Sequence, residues 1–131
     1  MKSHSFSEHW NSSKNPSKQR RYRKNAPLHI KHRLLSAHLS KELRNTYKIR
    51  SFPLRTGDTV MIMRGKFKGM EGKVEKIYMK QLKVSVDTAK ITTKKGTKVP
   101  LKIRPSALLI KELNLSDNRR AKALEKYGKA R

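Results

Sequence analysis

The chain has 131 residues, 34 Lys and Arg against nine Asp and Glu, and a formal net charge of +25 at pH 7; only 34% of it is hydrophobic and a third is charged. That length suits one compact domain with much of the chain outside its core, and self-repulsion of this size calls for a large anionic partner to supply the counter-charge. The absence of cysteine excludes disulfides and thiolate metal sites, and the lack of an apolar run of about 20 residues or of a helix with a broad apolar face argues against a membrane partner.

In residues 1–26, Ser, Asn, Lys and Arg dominate and aliphatic side chains are almost missing. Such a segment does not offset the entropy of its own ordering and is expected to be a disordered basic extension until bound. Its Ser-rich, acid-poor start resembles an organellar transit peptide in composition, but Pro16 and the lack of an amphipathic stripe oppose that reading. Phe6 and Trp10 read either as anchors onto the body or a neighbour, or as platforms for unpaired bases.

Residues 27–56 read as a helical basic segment. One short helix starts at Pro27, with Leu28, Leu34, Leu35 and Leu39 apolar and His29, Lys31, His32 and Arg33 covering much of the remaining surface. A second starts at Ser40 as its cap, carries Glu42 in its first turn and ends near Tyr47. Arg44, Lys48 and Arg50 are left to solvent or phosphate.

Between residues 57 and 115 the pattern changes to strands, expected at 59–64, 73–79, 83–86, 98–103 and 108–113. Five short strands imply a mainly β fold, a small barrel. Alternation in the fourth sends Val99, Leu101 and Ile103 inward and Lys98, Pro100, Lys102 and Arg104 outward, with Pro100 favouring a sheet edge. Lys80-Gln81 forms a tight link, and residues 87–97 read as a polar excursion turned back by Gly96. In residues 116–131, Ser116 or Asp117 caps a short basic helix through Ala121, Leu124 and Tyr127, closed by Gly128. Leu124 would pack on the body while Arg119, Arg120 and Lys126 lie along RNA. The three stretches 1–56, 57–115 and 116–131 carry nets of +12, +9 and +4, a distribution that favours wrapping over one docking patch.

The most informative stretch runs GDTVMIMRGKFKGMEGKVEKI from Gly57 to Ile77. Asp58 is placed to accept backbone N–H bonds and stabilise the turn. Val60 and Ile62 share one strand face and Met61 and Met63 the other, so this strand reads as covered on both sides. Gly65 and Gly69 bracket a loop and Gly72 opens the next strand, each free to take positive φ or to allow close approach. In an extended loop Arg64, Lys66 and Lys68 share one face, with Phe67 projecting elsewhere to pack or to stack.

These residues, Gly57-Asp58-x-Val60, Gly65, Lys68-Gly69, Gly72-x-Val74 and Ile77, resemble the KOW motif of ribosomal and transcription-elongation proteins. The flanks Asn25-Ala26-Pro27-x-His29-Ile30, Leu39-Ser40-Lys41-Glu42-Leu43-Arg44, Arg50-Ser51-x-Pro53-x-Arg55 and Ile103-x-Pro105-Ser106 narrow the resemblance. They are similar to the archaeal and eukaryotic type of the large-subunit ribosomal protein numbered twenty-four universally and twenty-six in eukaryotes, over residues 25 to about 127. The resemblance implies an SH3-like barrel with basic extensions, on cytoplasmic ribosomes, bound to large-subunit rRNA near its 5′ region and near the peptide exit, among neighbouring ribosomal proteins and active in early assembly. It also implies RNA contact by the loop at 64–69 and by the basic segment before Leu28. The chain stops soon after Gly128, without the long basic tail common in eukaryotic members, which points to an archaeal or reduced source.

Charge and resemblance together nominate Lys18, Arg20, Arg21, Arg23, Lys24, His29, Lys31, His32, Arg33, Arg64, Lys66, Phe67, Lys68, Arg104, Arg119 and Arg120 as RNA contacts, with Gly57, Gly65, Gly69 and Gly72 as motif glycines. No enzyme is expected. The five histidines have no persuasive nucleophile or carboxylate partner nearby in sequence and the nine acids are scattered. His29 and His32 lack a third metal ligand, and GKFKG has the glycines of a phosphate loop without its Gly-Lys-Ser/Thr ending. The expectation is thus no cofactor, no metal, no small-molecule substrate and no homo-oligomer. A KOW-type transcription-elongation accessory protein is the alternative, less apt because such factors usually carry a second folded domain. A nonspecific packaging protein would need the charge but not the ordered glycines.

Overall fold

A computed structural model describes residues 6–7 and 13–129. Trp10, and with it one of the two aromatic readings, lies outside the described residues. The first helix, α1 (Pro16–Asn25), forms where disorder is expected, for local reasons. Asn15 Oδ1 accepts the Ser17 N–H at 3.0 Å, Pro16 occupies the first turn, and Arg23 and Lys24 stand in the last turn. None of its side chains is buried. Phe6 leans on Tyr22 of this helix with ring centroids 4.8 Å apart, a contact within the N-terminal extension itself.

After α2 (Leu28–Leu34) the chain turns at once into β1 (Ser36–Leu39). Leu39 is therefore a strand residue, not part of the helix. The helical spacing of Leu34, Leu35 and Leu39 hides a period-two alternation in which Ala37 and Leu39 are buried between half-buried Ser36 and His38. The next helix, α3 (Lys41–Tyr47), matches its expected bounds, with Ser40 Oγ accepting the Leu43 N–H. A second unforeseen strand, β2 (Ser51–Pro53), pairs antiparallel with β1 and drives Phe52 into the core.

Strands β3 (Thr59–Ile62), β4 (Glu71–Tyr78), β5 (Lys83–Thr92), β6 (Lys98–Ile103) and β7 (Leu108–Glu112) complete one sheet, in the order β2-β1-β7-β3-β4-β5-β6. Among the described residues, only β1 and β7 pair in parallel. Register shifts in the β3–β7, β4–β5 and β5–β6 pairs bend the sheet, and the result is the small SH3-like barrel expected. Its interior holds Leu39, Val60, Ile62, Val84, Val86, Leu108 and Ile110, all fully buried. The helix α4 (Asn118–Lys129) closes it through buried Leu124.

Two expectations about β5 and β6 are corrected. Residues 87–92 are strand, because β5 continues to pair with β6 out to Thr92 opposite Lys98; the turn is confined to residues 93–97, with Gly96 at φ +80°. Val99 consequently sits on the projecting half of this hairpin and is 47% exposed, so inward alternation is lost beyond Leu101. Pro100 does lie on an edge strand.

Glycine roles divide. Gly65 and Gly69 have φ of +96° and +85° with open space where a side chain would stand, so conformation alone requires them. Gly72 faces Val60 across the sheet, and a Cβ there would fall 2.2 Å from Asp87 Oδ1 and 2.8 Å from Val86 Cγ1. Asp87 is fixed in place by the Lys73 and Thr88 N–H groups. Gly72→Ala is expected to cost about 1–3 kcal/mol by overpacking and Gly69→Ala about 1–2 kcal/mol by backbone strain. Thermal melts of the two variants check this: Gly72→Ala alone should also disturb the amide signals of Lys73 and Thr88. Gly128 does not end α4, which runs to Lys129; it lets the helix approach α3, since a Cβ would meet the Tyr47 carbonyl oxygen at 2.6 Å.

Candidate nucleic-acid interface

Six cations surround one open groove of about 470 Å³: Arg20, Arg23 and Lys24 from α1, Lys80 from the β4–β5 turn, Lys83 from the start of β5, and Arg104 just after β6. Among the described residues, no Asp or Glu lines it. At Leu82 the wall holds a non-glycine residue at φ +51°, a left-handed conformation that costs about 1–2 kcal/mol and sets the tight turn between the two lysines. Buried Pro105 and exposed Ser106 form the wall after Arg104. Clustered side chains of one sign with no internal counter-charge concentrate positive potential, which suits a polyanion backbone.

The loop at 64–69 starts beside that wall. Met63 donates its N–H to the Ala107 carbonyl at 2.8 Å, one residue beyond Ser106, which brings the backbone just before Arg64 alongside that wall. The loop is not extended. Lys68 N–H bonds to Gly65 O, Met70 N–H to Phe67 O, and Gly69 N–H to Ile62 O, folding the segment into successive turns. The shared face expected for Arg64, Lys66 and Lys68 from extended spacing therefore does not hold, although all three are exposed. Phe67 is half-buried and packs against the core, the packing one of the two readings its position allows.

Arg120 is the clearest correction among the nominated contacts. It is 5% exposed and pairs with fully buried Asp58, Nη1 to Oδ1 at 2.6 Å and Nη2 to Oδ2 at 2.7 Å. Nη1 also donates to Asn114 O and Nη2 to Pro53 O, and the guanidinium lies 5.4 Å from the Phe52 ring centre. Asp58 accepts in addition from the Arg55 and Asn114 N–H groups. The turn-stabilising role expected for Asp58 is present, and the larger part of its environment is this staple, which joins β2, the turn before β3 and α4. Its guanidinium donors are engaged within the fold, and the residue also lines a second cleft together with Arg119.

The other nominated residues scatter over the surface. Lys18 and Arg21 stand exposed on α1 outside the groove lining, and His29 and Arg33 are exposed and Lys31 half-buried on α2. His32 and Arg119 meet across a separate, mainly apolar cleft. Arg44, left to solvent or phosphate by sequence, donates its Nε to Leu39 O at 2.8 Å. Lys80 and Lys83 went unnominated because they sit in a link short enough to read as a mere turn; the signal was their pairing, through the fold, with the α1 cations.

At the start of α4, Asp117 Oδ1 accepts the Arg119 N–H and Oδ2 binds Arg55 at 2.5 Å. The Arg55 hydrogen bond, followed by that N–H, holds its carboxyl below the ordinary carboxylate value of 3.8. A depressed carboxylate stabilises the fold above its unfolded pKa and loses that contribution as pH falls through the folded pKa. The acid limb of a stability curve below about pH 4 should thus be shallower in Asp117→Asn, which keeps a capping side chain but not the charge; urea midpoints between pH 2 and 5 measure it.

Comparison with known proteins gives one consistent answer. The family model for the ribosomal proteins numbered L26 in eukaryotes and twenty-four in archaea matches residues 13–127. A protein of Methanosphaera stadtmanae named large ribosomal subunit protein uL24 is 46% identical over 114 residues, 87% of this chain and 97% of its own length. Its namesake in Methanosarcina barkeri is 45% identical over 87% of this chain and 98% of its own length. The one in Korarchaeum cryptofilum is 42% identical over 86% of each. By this match across most of its length, the chain belongs to the uL24 family of large-subunit ribosomal proteins, the one that eukaryotes number L26.

Proposed function

We propose that this protein, a cytoplasmic large-subunit ribosomal protein by family, acts as a structural binder of large-subunit rRNA. It neutralises phosphates where RNA strands crowd together near the 5′ region of that RNA and the peptide exit, and so assists assembly. The observation that carries this reading is the groove bounded by six cations and no carboxylate among the described residues. Phosphate contacts of this kind fix position and orientation, while duplex shape rather than base identity selects the site. The role is structural, not catalytic, and its partners are rRNA and adjacent ribosomal proteins.

Sedimentation of cell extract tests it. The tagged protein should move with the large subunit at physiological salt, because contacts across groove and loop act together. Recovery with RNA polymerase, or with bulk DNA, would contradict the reading.

A further inference from the structure

A second hollow, of about 440 Å³, opens between the end of α2, β2, the end of β4 and the first turns of α4. Its size falls in the range of clefts that hold ligands, about 300–1,000 Å³. Its chemistry is the reverse of the groove's. Leu35, Phe52, Leu54, Ile77, Met79 and Ala123 supply apolar walls, and the cations Arg55, Arg119 and Arg120 and the imidazole of His32 also line it. Among the described residues no Asp or Glu lines it, and the carboxylate beneath, Asp58, is already bound by Arg120. Consecutive residues Leu34 and Leu35 line the groove and the cleft respectively, so the two hollows share the end of α2 as a common wall.

A mainly apolar lining whose most buried cation, Arg120, is already paired with Asp58 suits neither a bare phosphate nor an acidic side chain. It fits a flat group with apolar faces on an anionic linkage. We propose that this cleft receives one unpaired base of the bound RNA, its face on Met79 and Ile77 and its flanking phosphates at Arg119 and Arg55. Stacking on such a surface tolerates any base, so the site reads an unpaired position rather than a letter. Arg55 keeps donors for this purpose, since Asp117 engages only one of its terminal nitrogens. An apolar side chain of a neighbouring protein is the rival occupant; Arg119, the free donors of Arg55, the absence of a lining carboxylate among the described residues and the wall shared with the phosphate groove favour RNA.

This inference rests on the RNA-binding reading above, and its test separates the two. The full chain is titrated with three hairpin RNAs that differ at one position: an unpaired adenosine, the same adenosine paired, and an abasic unit. The unpaired form should bind about 5- to 100-fold more tightly than the other two, and only it should shift the Met79 methyl resonance. Ala123→Leu, at a half-buried site on α4 with a good helix former, fills the cleft and should erase the preference while leaving salt-dependent duplex binding intact. Should that variant melt early, Met79→Ala removes the stacking wall instead and should cut the preference several-fold. Equal affinity for all three RNAs, or a preference that survives both variants, overturns the base site while the RNA-binding reading stands. The same holds if neighbouring ribosomal proteins, and not RNA, lose affinity when the cleft is filled. Loss of salt-dependent binding to every RNA in the unmodified protein overturns both.

Discussion

Arg120→Met is expected to lower stability by about 3–5 kcal/mol, because it strands the buried Asp58 carboxylate without its bidentate partner. In a domain of this size that is a fall of more than about 10 °C in Tm. Two further losses accompany it: the Asn114 and Pro53 carbonyls each lose a donor, and α4 loses its polar tie to β2. Two backbone N–H groups still reach Asp58, so the carboxylate retains partial satisfaction and the lower half of the range is the better guide. Replacing both partners, as Asp58→Leu with Arg120→Met, should recover part of the loss, since an apolar pair removes the uncompensated charge. Chemical melts of these two variants beside the unmodified protein measure this. RNA affinity of the folded Arg120→Met fraction should match the unmodified protein; normal stability with lost RNA affinity would show that Arg120 is an interface residue after all.

The second large effect lies in the groove. Removing its body-side cations in Lys80→Ala/Lys83→Ala/Arg104→Ala should weaken rRNA binding on the order of a hundredfold at 0.15 M salt. The magnitude follows from counterion release: each phosphate contact contributes about 0.7 to 0.9 to the slope of log affinity against log salt, which is about fivefold per contact at that concentration. These residues are exposed or half-buried and none is part of the described core, so Tm should change little. In the loop, Lys66→Ala/Lys68→Ala should cost roughly 25-fold by the same reasoning. Unchanged affinity in the loop pair would remove residues 64–69 from the interface and leave the groove as its centre.

Local chemistry made several elements legible. Ser40 followed by Glu42 marked α3, the pair Ser116 and Asp117 marked the start of α4, where the structure selects Asp117, and alternation around Val60 and Ile62 marked β3. The family was legible too, because glycines at fixed offsets and proline-bearing flanks recur in one order. What escaped was non-local. β1 and β2 are four and three residues long, too short for periodicity to separate from helix, and they exist because β7 pairs with β1 and β1 in turn with β2, partners distant in sequence. Arg120 looked like every other basic residue in an exposed helix, and only the fold brings Asp58, 62 positions away, against it. The groove was half legible: three α1 cations and Arg104 were nominated on charge and resemblance, while Lys80 and Lys83 join them only through the β4–β5 turn.

Binding of the protein to a large-subunit rRNA fragment, followed from about 50 to 200 mM monovalent salt, tests the central claim most directly. With the six groove cations and the three loop cations on phosphate, log affinity should fall against log salt with a slope of about −6 to −8, flattening by about 2 to 3 in the groove triple variant. A slope near zero, or one the triple variant leaves unchanged, would contradict a cationic groove that holds folded RNA by its phosphates.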